Sequence, residues 1–225
     1  MEELEIYLYD DIEANGKDWE GNTIVSDTSA DTVRKKLADA NPDAPIAFHI
    51  NSYGGDVKEG VAIYTLIKQH NGPVTVYVDG FACSIASLIA MGGNKIIMGK
   101  LAMMMTHGPW TVVAGNAEEL RKEAEILDKI TETMSIAYRE RCGDKLTDER
   151  LKAMMTEDTW LNAEECVALG LADEIAGESP GDKLAQAKSR AATLMKKKKP
   201  EAPNAEAKNN AERLMLAFKK MEDAV

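Results

Sequence analysis

The sequence has little of three things on which many functions depend: basic charge, long apolar runs and paired cysteines. Its 27 Lys and Arg residues are outnumbered by 38 Asp and Glu residues, whereas a nucleic-acid-binding protein usually carries a basic surface. No apolar run approaches the ~20 residues that span a bilayer, and the acidic start MEELEIYLYDD lacks the basic region of a signal peptide. We therefore expect a cytoplasmic protein that binds neither nucleic acid nor a membrane.

The cysteine pattern excludes two further classes of site. Only three cysteines are present, Cys83, Cys142 and Cys166, and they are far apart and form no CxxC pair. Neither a zinc site nor a disulfide framework is therefore indicated.

What the chain does have is an alternation of short β-rich and longer helical stretches. Strands are predicted in LEIYLYDDI, APIAFHI, PVTVYV and twice in NKIIMGKLAMMMTH; helices are predicted in TSADTVRKKLADAN, VKEGVAIYTLIKQHNG, IASLIAMGG, TDERLKAMM and AEECVALGLADEI. EANGKDWEGN between them reads as a polar loop. The alternation implies right-handed crossovers and a largely parallel sheet, that is, an α/β fold. NSYGGD and DGFACS are interpreted as turns at the carboxyl ends of strands, where such sheets form their sites.

The composition changes near residue 177 and predicts two segments. Residues 177–225 hold 11 of the 27 Lys and Arg residues but only 7 of the 38 Asp and Glu residues. They are rich in Pro, Lys, Ala and Asn and poor in core residues, which favours a mobile tail. Its end, AERLMLAFKKMEDAV, has the spacing of a short amphipathic helix. We expect residues 1–176 to form the folded domain.

Three side chains in DGFACSIAS are candidate nucleophiles: Cys83, Ser84 and Ser87. A serine at a helix start is more often a cap, but a helix N-terminus also offers N–H groups, such as that of Ile85, to a developing oxyanion. The same position can lower a thiol pKa, although a free cysteine is usually a small buried side chain. Adjacent residues at a turn point in different directions, so only one of Cys83 and Ser84 can face a given base.

A nucleophile of this kind needs a base, and only three histidines exist. His49 lies within the strand APIAFHI, and His70 lies at an exposed helix end. His107 ends the run LAMMMTH and is followed by Gly108-Pro109, which places an imidazole at a strand terminus beside a rigid turn. The carboxylate that would orient the base is left open among Asp128, Asp158 and Asp173.

Four motifs together resemble the Clp protease proteolytic subunit (ClpP) family of serine peptidases. They are INSYGGDVKEGVAIYTLI, GFACSIASLIAMGG, MMTHGP and EDTWLNAEECVALGLADEI, in the family's order and near its spacing. The resemblance covers roughly residues 45–176. It implies the superhelix of ββα units that this family shares with the crotonases.

The resemblance also implies a catalytic triad of Ser84, His107 and Asp158. Ser84 matches the nucleophile, His107 the general base, and Asp158 the residue that orients the imidazole. Gly55 and Ile85 match the two backbone N–H donors of the oxyanion hole. Such a site cleaves peptide bonds and needs no metal and no cofactor.

The long helix predicted at residues 116–142 resembles the family's handle, which projects from the globular head and interlocks two rings. The preceding GPWTVVAG resembles the strand that supports substrate and oligomer contacts. An open peptidase would be dangerous in the cytosol, and enclosure within an oligomer solves that problem. We therefore expect a homo-oligomer, a ring or stacked rings, that acts on polypeptide substrates.

The chain departs from the family pattern at both ends. DDIEANGKDWEGNTIVSDTSADT replaces or lengthens the usual first strand and helix, no axial loop for an unfoldase ATPase is visible, and the basic tail is extra. In these departures the chain is similar to ClpP-like head-maturation proteases of phages and prophages, which process capsid or scaffold proteins. They argue against an ATPase partner and suggest a scaffold-like or self-processed tail.

Two other functions compete with the peptidase. Crotonase-like acyl-CoA enzymes share the architecture and the oxyanion-hole logic but do not need an ordered set of Ser, His and Asp. A catalytically silent ring or assembly component would keep the fold without using Ser84.

Overall fold

The computed structural model of the protein describes residues 3–177. Its strands are β1 (Leu4–Tyr9), β2 (Gly16–Lys17), β3 (Thr23–Ile24), β4 (Ile46–Ser52), β5 (Val74–Cys83), β6 (Lys95–Met98), β7 (Met103–Thr106), β8 (Thr159–Asn162) and β9 (Glu174–Ile175). Its helices are α1 (Ala30–Asp39), α2 (Val57–Gln69), α3 (Ile85–Ala90), α4 (Ala117–Cys142), α5 (Asp148–Thr156) and α6 (Ala163–Leu169). The amphipathic helix predicted in the tail lies outside the described residues.

A largely parallel sheet in the order β1-β4-β5-β6-β9 forms the centre of the fold. The end of β5 pairs in parallel with β7, and β7 pairs antiparallel with β8. Because helices connect most of the parallel strands, the predicted α/β class and its largely parallel sheet are confirmed.

The two faces of the sheet have different environments. Ile6, Phe48 and Val76 are neighbours in register on β1, β4 and β5, and all three are fully buried. Successive residues of a strand point to opposite faces, so the next register row lies on the other side. That row carries the rings of Tyr7 and His49, stacked with their centroids 4.7 Å apart.

The turn predicted at DGFACS is wrong, because β5 continues through it to Cys83. The strand leaves β6 after Val78 and pairs with β7 from Phe81 onward. A bulge on β4 makes room for this change of partner, and the Asn51 side chain there accepts a hydrogen bond of 3.1 Å from the Phe81 N–H. A Cβ on Gly80 would lie 2.3 Å from Asn51 Oδ1, so a side chain there would displace the Asn51 amide. The DGFACS stretch still leads to the carboxyl end of a strand.

The long predicted helix is present as α4, a 26-residue helix that begins at a capping box formed by Asn116 and Glu119. Its buried residues all lie in its second half, from Met134 to Cys142. The first half is therefore available to project from the domain, as the handle does in the resemblance.

Three local features differ from the sequence expectations. GPWTVVAG forms no strand, because residues 108–115 pair with no other strand of the described chain. The stretch interpreted as a polar loop contains strand β2, which pairs in a short hairpin with β3 directly after that stretch. Strand β8, in EDTWLNA, was not predicted.

Among residues 3–177, no helix is both long enough and apolar enough to cross a membrane.

Candidate active site

Ser84 lies between the end of β5 and the start of α3 in an unusual backbone conformation. Its φ is 53° and its ψ is −127°, and it is the sole non-glycine residue with positive φ in the described part of the chain. Such a conformation typically costs about 1–3 kcal/mol and persists only where the surroundings hold it. Here the Ser84 N–H donates a hydrogen bond of 2.8 Å to the carbonyl of Met105 on β7. The sharp bend points the hydroxyl away from the strand, toward the end of β7.

The structure brings Ser84, His107 and Asp158 together. The Ser84 Oγ lies 2.7 Å from His107 Nε2, and His107 Nδ1 lies 3.2 Å from Asp158 Oδ1. His107 directly follows β7 and Asp158 directly precedes β8, and the strand pairing of Thr106 with Thr159 sets the two side by side. A proton on Nδ1, the nitrogen that faces the carboxylate, would leave Nε2 free to accept the serine proton.

The two members of the ion pair differ in exposure. The His107 side chain is 19% exposed, whereas the Asp158 side chain is 72% exposed. His107 is the only hydrogen-bond or ion-pair partner of the Asp158 side chain among residues 3–177. The carboxylate therefore holds the imidazole from the solvent side.

The rival nucleophiles are placed elsewhere. Cys83 is fully buried, and this burial raises the pKa of its thiol to about 11 despite a hydrogen bond with the backbone of Met105. Ser87 is also fully buried, and its hydroxyl bonds to the Ser84 carbonyl and to the hydroxyl of Tyr138. Only Ser84 presents its side chain to an imidazole.

The other two histidines bond to groups away from Ser84. His49 Nδ1 lies 2.7 Å from Asp79 Oδ2 on the outer face of the sheet. His70 Nε2 lies 2.8 Å from the Ala44 carbonyl oxygen, at the end of α2.

The aspartates that the sequence left open are also separated by the structure. Asp173 accepts hydrogen bonds from the Arg141 guanidinium and from the Ile96 N–H. Asp128 lines a groove of about 540 Å³ between α4 and α5. Only Asp158 contacts His107.

The two glycines of NSYGGD lie against the nucleophile. A Cβ on Gly54 would come within 2.7 Å of the Ser84 Cβ and 3.3 Å of the Ile85 nitrogen. Gly55 has a φ of 140°, and a Cβ there would lie 2.2 Å from the carbonyl oxygen of Ile12. Ile12 holds this turn through hydrogen bonds to the Gly54 carbonyl and from the Asp56 N–H, of 2.6 and 2.7 Å.

This packing brings the Gly54–Gly55 turn and the start of α3 together beside the Ser84 hydroxyl. Ile85 is the first residue of α3, so its N–H has no partner within the helix. Exposed backbone N–H groups beside a nucleophile can stabilise an anion. The sequence analysis missed Gly54 and Ile12 as residues that support the site. The Gly-Gly pair could have indicated Gly54, whereas no local sequence signal marks Ile12.

Among the described residues, no group of three or more His, Cys, Asp and Glu side chains could hold a metal ion.

A comparison with known protein families found a match. The family model described as Clp protease matches residues 21–179, more than half of the chain. The match begins well before residue 45, where the sequence resemblance started, and so includes helix α1. The chain belongs to the Clp protease family, and it is a peptidase by family.

Proposed function

We propose that the protein is a serine endopeptidase with Ser84 as nucleophile, His107 as general base and Asp158 as the residue that orients the imidazole. The observation that carries this proposal is the chain of two contacts, 2.7 Å from Ser84 Oγ to His107 Nε2 and 3.2 Å from His107 Nδ1 to Asp158 Oδ1. The first contact involves Ser84, a residue with positive φ at the carboxyl end of a parallel strand, the kind of place where α/β folds build sites. Family membership supports the same reaction class.

In the acylation step, the Ser84 Oγ attacks the carbonyl carbon of a peptide bond while His107 Nε2 takes the hydroxyl proton. The electron pair of the carbonyl moves to its oxygen, and the N–H groups of Gly55 and Ile85 stabilise the resulting oxyanion. Collapse of this tetrahedral intermediate breaks the C–N bond. His107 returns its proton to the leaving amine, and an acyl-serine ester remains.

In the deacylation step, the same groups act on water. His107 takes a proton from a water molecule that attacks the ester, and it then protonates the departing Ser84 oxygen. Asp158 keeps Nδ1 protonated, so that Nε2 stays available as the acceptor in both steps. No metal or cofactor enters either step.

Self-association is the second part of the proposal, and exposed apolar side chains support it. Trp110 is 73% and Val112 is 87% exposed in the unpaired segment before α4, and Leu120 and Ile126 are exposed on the first half of that helix. Large apolar side chains that cluster on an exposed surface often mark an interaction surface. We propose a homo-oligomer, a ring or stacked rings, in which a second copy covers this surface.

Light scattering coupled to gel filtration tests the oligomer. Val112→Asp is expected to shift the mass toward that of a single chain, because it places a charge in the proposed interface. Val25→Asp is the control, since Val25 is also exposed, at 62%, but lies near the β2–β3 hairpin. A wild-type protein that runs as a monomer contradicts self-association, and an oligomeric Val112→Asp variant of unchanged mass contradicts the proposed interface.

The parts of the chain that differ from the family pattern, near its two ends, support a more specific substrate class. The family match covers residues 21–179, so it leaves the first 20 residues and nearly all of the basic tail outside. We propose capsid or scaffold proteins of a phage or prophage as substrates, in the cytoplasm and without an ATPase partner. Mass spectrometry that detects cleavage within residues 177–225 tests self-processing of the tail.

A fluorophosphonate probe tests the nucleophile directly. Attack by the Ser84 Oγ forms an O–P bond and expels fluoride, so intact mass spectrometry reads the adduct. We expect labelling of the wild type, none of Ser84→Ala, and loss of peptide hydrolysis in that variant. Cys83→Ala is the matched control and should label normally. Inactivation by iodoacetamide with full activity of Ser84→Ala would show a cysteine nucleophile.

The same experiment separates the competing functions. Absence of labelling together with binding of acyl-CoA esters indicates a crotonase-like enzyme. Absence of labelling, of hydrolysis and of any Ser84→Ala phenotype indicates a silent assembly component. Either result overturns the peptidase proposal.

A further inference from the structure

A buried pair of hydroxyls connects the nucleophile to the long helix α4. The Ser87 Oγ lies 2.6 Å from the carbonyl oxygen of Ser84, and the Tyr138 hydroxyl lies 2.7 Å from the same Ser87 Oγ. Tyr138 is 1% exposed and Ser87 is fully buried, so water does not replace these bonds. The mechanism described above uses neither side chain.

The number of protons fixes the direction of these bonds. The Ser87 hydroxyl has one proton, and it is donated to the Ser84 carbonyl, which can donate nothing in return. The Tyr138 hydroxyl must then donate its proton to the Ser87 oxygen. The result is a directed relay from Tyr138 through Ser87 to the backbone of the nucleophile. Hydroxyls in such a chain polarise one another, which strengthens each bond in a buried environment.

The relay ends at the peptide unit between Ser84 and Ile85, which contains one of the two proposed oxyanion donors, the Ile85 N–H. The carbonyl of Ser84 and the N–H of Ile85 belong to the same planar peptide unit and point in opposite directions. A group that fixes the direction of the carbonyl therefore also fixes the direction of the N–H. This peptide follows a residue with φ 53°, so its orientation depends on being held.

We propose that Ser87 and Tyr138 are positioning residues that aim the Ile85 N–H at the oxyanion. The backbone N–H of Ser87 also bonds to the Ser84 carbonyl, at 3.0 Å, but the buried hydroxyl supplies the shorter bond. The inference rests on the proposed function, since it assigns a role to residues that support the same site.

The first test uses Tyr138→Phe, which removes one oxygen atom from the core. Removing an oxyanion donor outright costs ~10²–10³-fold in rate, and because Ile85 N–H remains in place we expect a smaller loss, about tenfold in kcat/KM. KM should stay within about twofold. The inhibition constant of a peptide aldehyde, which forms a tetrahedral adduct on serine, should rise by the same factor as kcat/KM falls.

A double-variant cycle separates positioning from general loss of stability. Ser87→Ala removes the middle of the relay, so Tyr138→Phe is expected to have no further effect on the aldehyde inhibition constant in that background. Ser135→Ala is the matched control, because its buried hydroxyl also lies on α4 but bonds to the Thr131 carbonyl within the helix. It should leave both kcat/KM and aldehyde binding unchanged.

The rate of fluorophosphonate labelling at Ser84 separates failure of this inference from failure of the proposed function. If the wild type is labelled and Tyr138→Phe has the wild-type labelling rate and aldehyde affinity, the relay does not position the donor and the peptidase proposal stands. If the wild type is not labelled at Ser84, both fall. Thermal melts check folding, and should Ser87→Ala fail to fold, the Tyr138→Phe result alone decides.

Discussion

Replacing Asp158 by asparagine should cost far less activity than the same change costs a serine peptidase with a buried triad carboxylate. In the buried case the loss is about 10⁴-fold, largely because the amide stabilises the wrong imidazole tautomer. Here the Asp158 side chain is 72% exposed, and His107 is its only hydrogen-bond or ion-pair partner among residues 3–177. An asparagine amide can therefore rotate and present its oxygen to Nδ1–H, so the tautomer is kept.

What is lost is the attraction between the carboxylate and the imidazolium that forms during the reaction. Two unit charges 3.2 Å apart attract by about 1.3 kcal/mol at the dielectric constant of water and by about 5 kcal/mol at an effective value of 20. The exposed carboxylate lies nearer the first limit, which gives about 1.5–2 kcal/mol. At 1.36 kcal/mol per decade, kcat/KM should fall about 10–30-fold.

The assay is hydrolysis of a fluorogenic peptide under conditions that give kcat/KM for each variant. Glu157→Gln is the matched control, because it removes an exposed carboxylate one position away and should change kcat/KM by less than about twofold. High salt should reduce the wild-type rate toward that of Asp158→Asn, since an exposed pair is screened at ionic strengths near 1 M.

A loss of 10⁴-fold or more in Asp158→Asn would refute the reasoning. It would mean that the carboxylate is enclosed in the active protein and held by partners that the single chain does not supply. A variant with the wild-type rate would refute it in the opposite direction and remove Asp158 from the mechanism.

Three further predictions concern the same region. Gly54→Ala should abolish labelling at Ser84 and lower the free energy of unfolding by about 3 kcal/mol, because the new methyl would lie 2.7 Å from the Ser84 Cβ. Gly21→Ala, also at positive φ but with nothing within 4 Å of the new methyl, should lose only about 1 kcal/mol in chemical denaturation and keep its labelling; equal losses would contradict the clash. Ser84→Gly should be inactive yet more stable than Ser84→Ala by about 1 kcal/mol, because glycine tolerates the φ of 53°; equal denaturation midpoints would count against backbone strain. Burial raises the pKa of Cys83 and of Cys142 to about 11 from a reference of 9.0, so the folded protein keeps these thiols protonated where the unfolded chain ionises them. The contribution of the two thiols to stability should be complete below pH 9 and be lost between about pH 9 and 11. Denaturation midpoints that do not change across this pH range, in the wild type and in Cys83→Ala, would contradict this prediction.

The sequence predicted the parts of the fold and site that depend on local pattern. Strand and helix periodicity predicted the α/β class and helix α4, and the position of His107 after an apolar run made it the candidate base. These signals are strong because burial imposes a repeat on each element. The placement of Ser84 at a helix start followed for the same reason.

Features that depend on distant residues could not be predicted in this way. DGFACS has the composition of a turn, yet it remains a strand because β7 pairs with its second half and a bulge on β4 accommodates the bend. Asp128 and Asp173 could not be separated from Asp158, since only the pairing of β7 with β8 determines which carboxylate reaches the imidazole. The relay through Tyr138 spans 51 residues and has no local signature.

The pairing of Thr106 with Thr159 has a consequence for how this protein can change. This strand pair joins the two ends of the long segment between His107 and Asp158. The chain leaves the pair at His107 and returns to it at Asp158. A hydrogen bond of 2.7 Å from the Gly108 N–H to the Met155 carbonyl also joins the two ends of this segment. Insertions or deletions in the exposed first half of α4 should therefore leave the imidazole and the carboxylate in register, so that this outer surface can diversify while their pairing is retained.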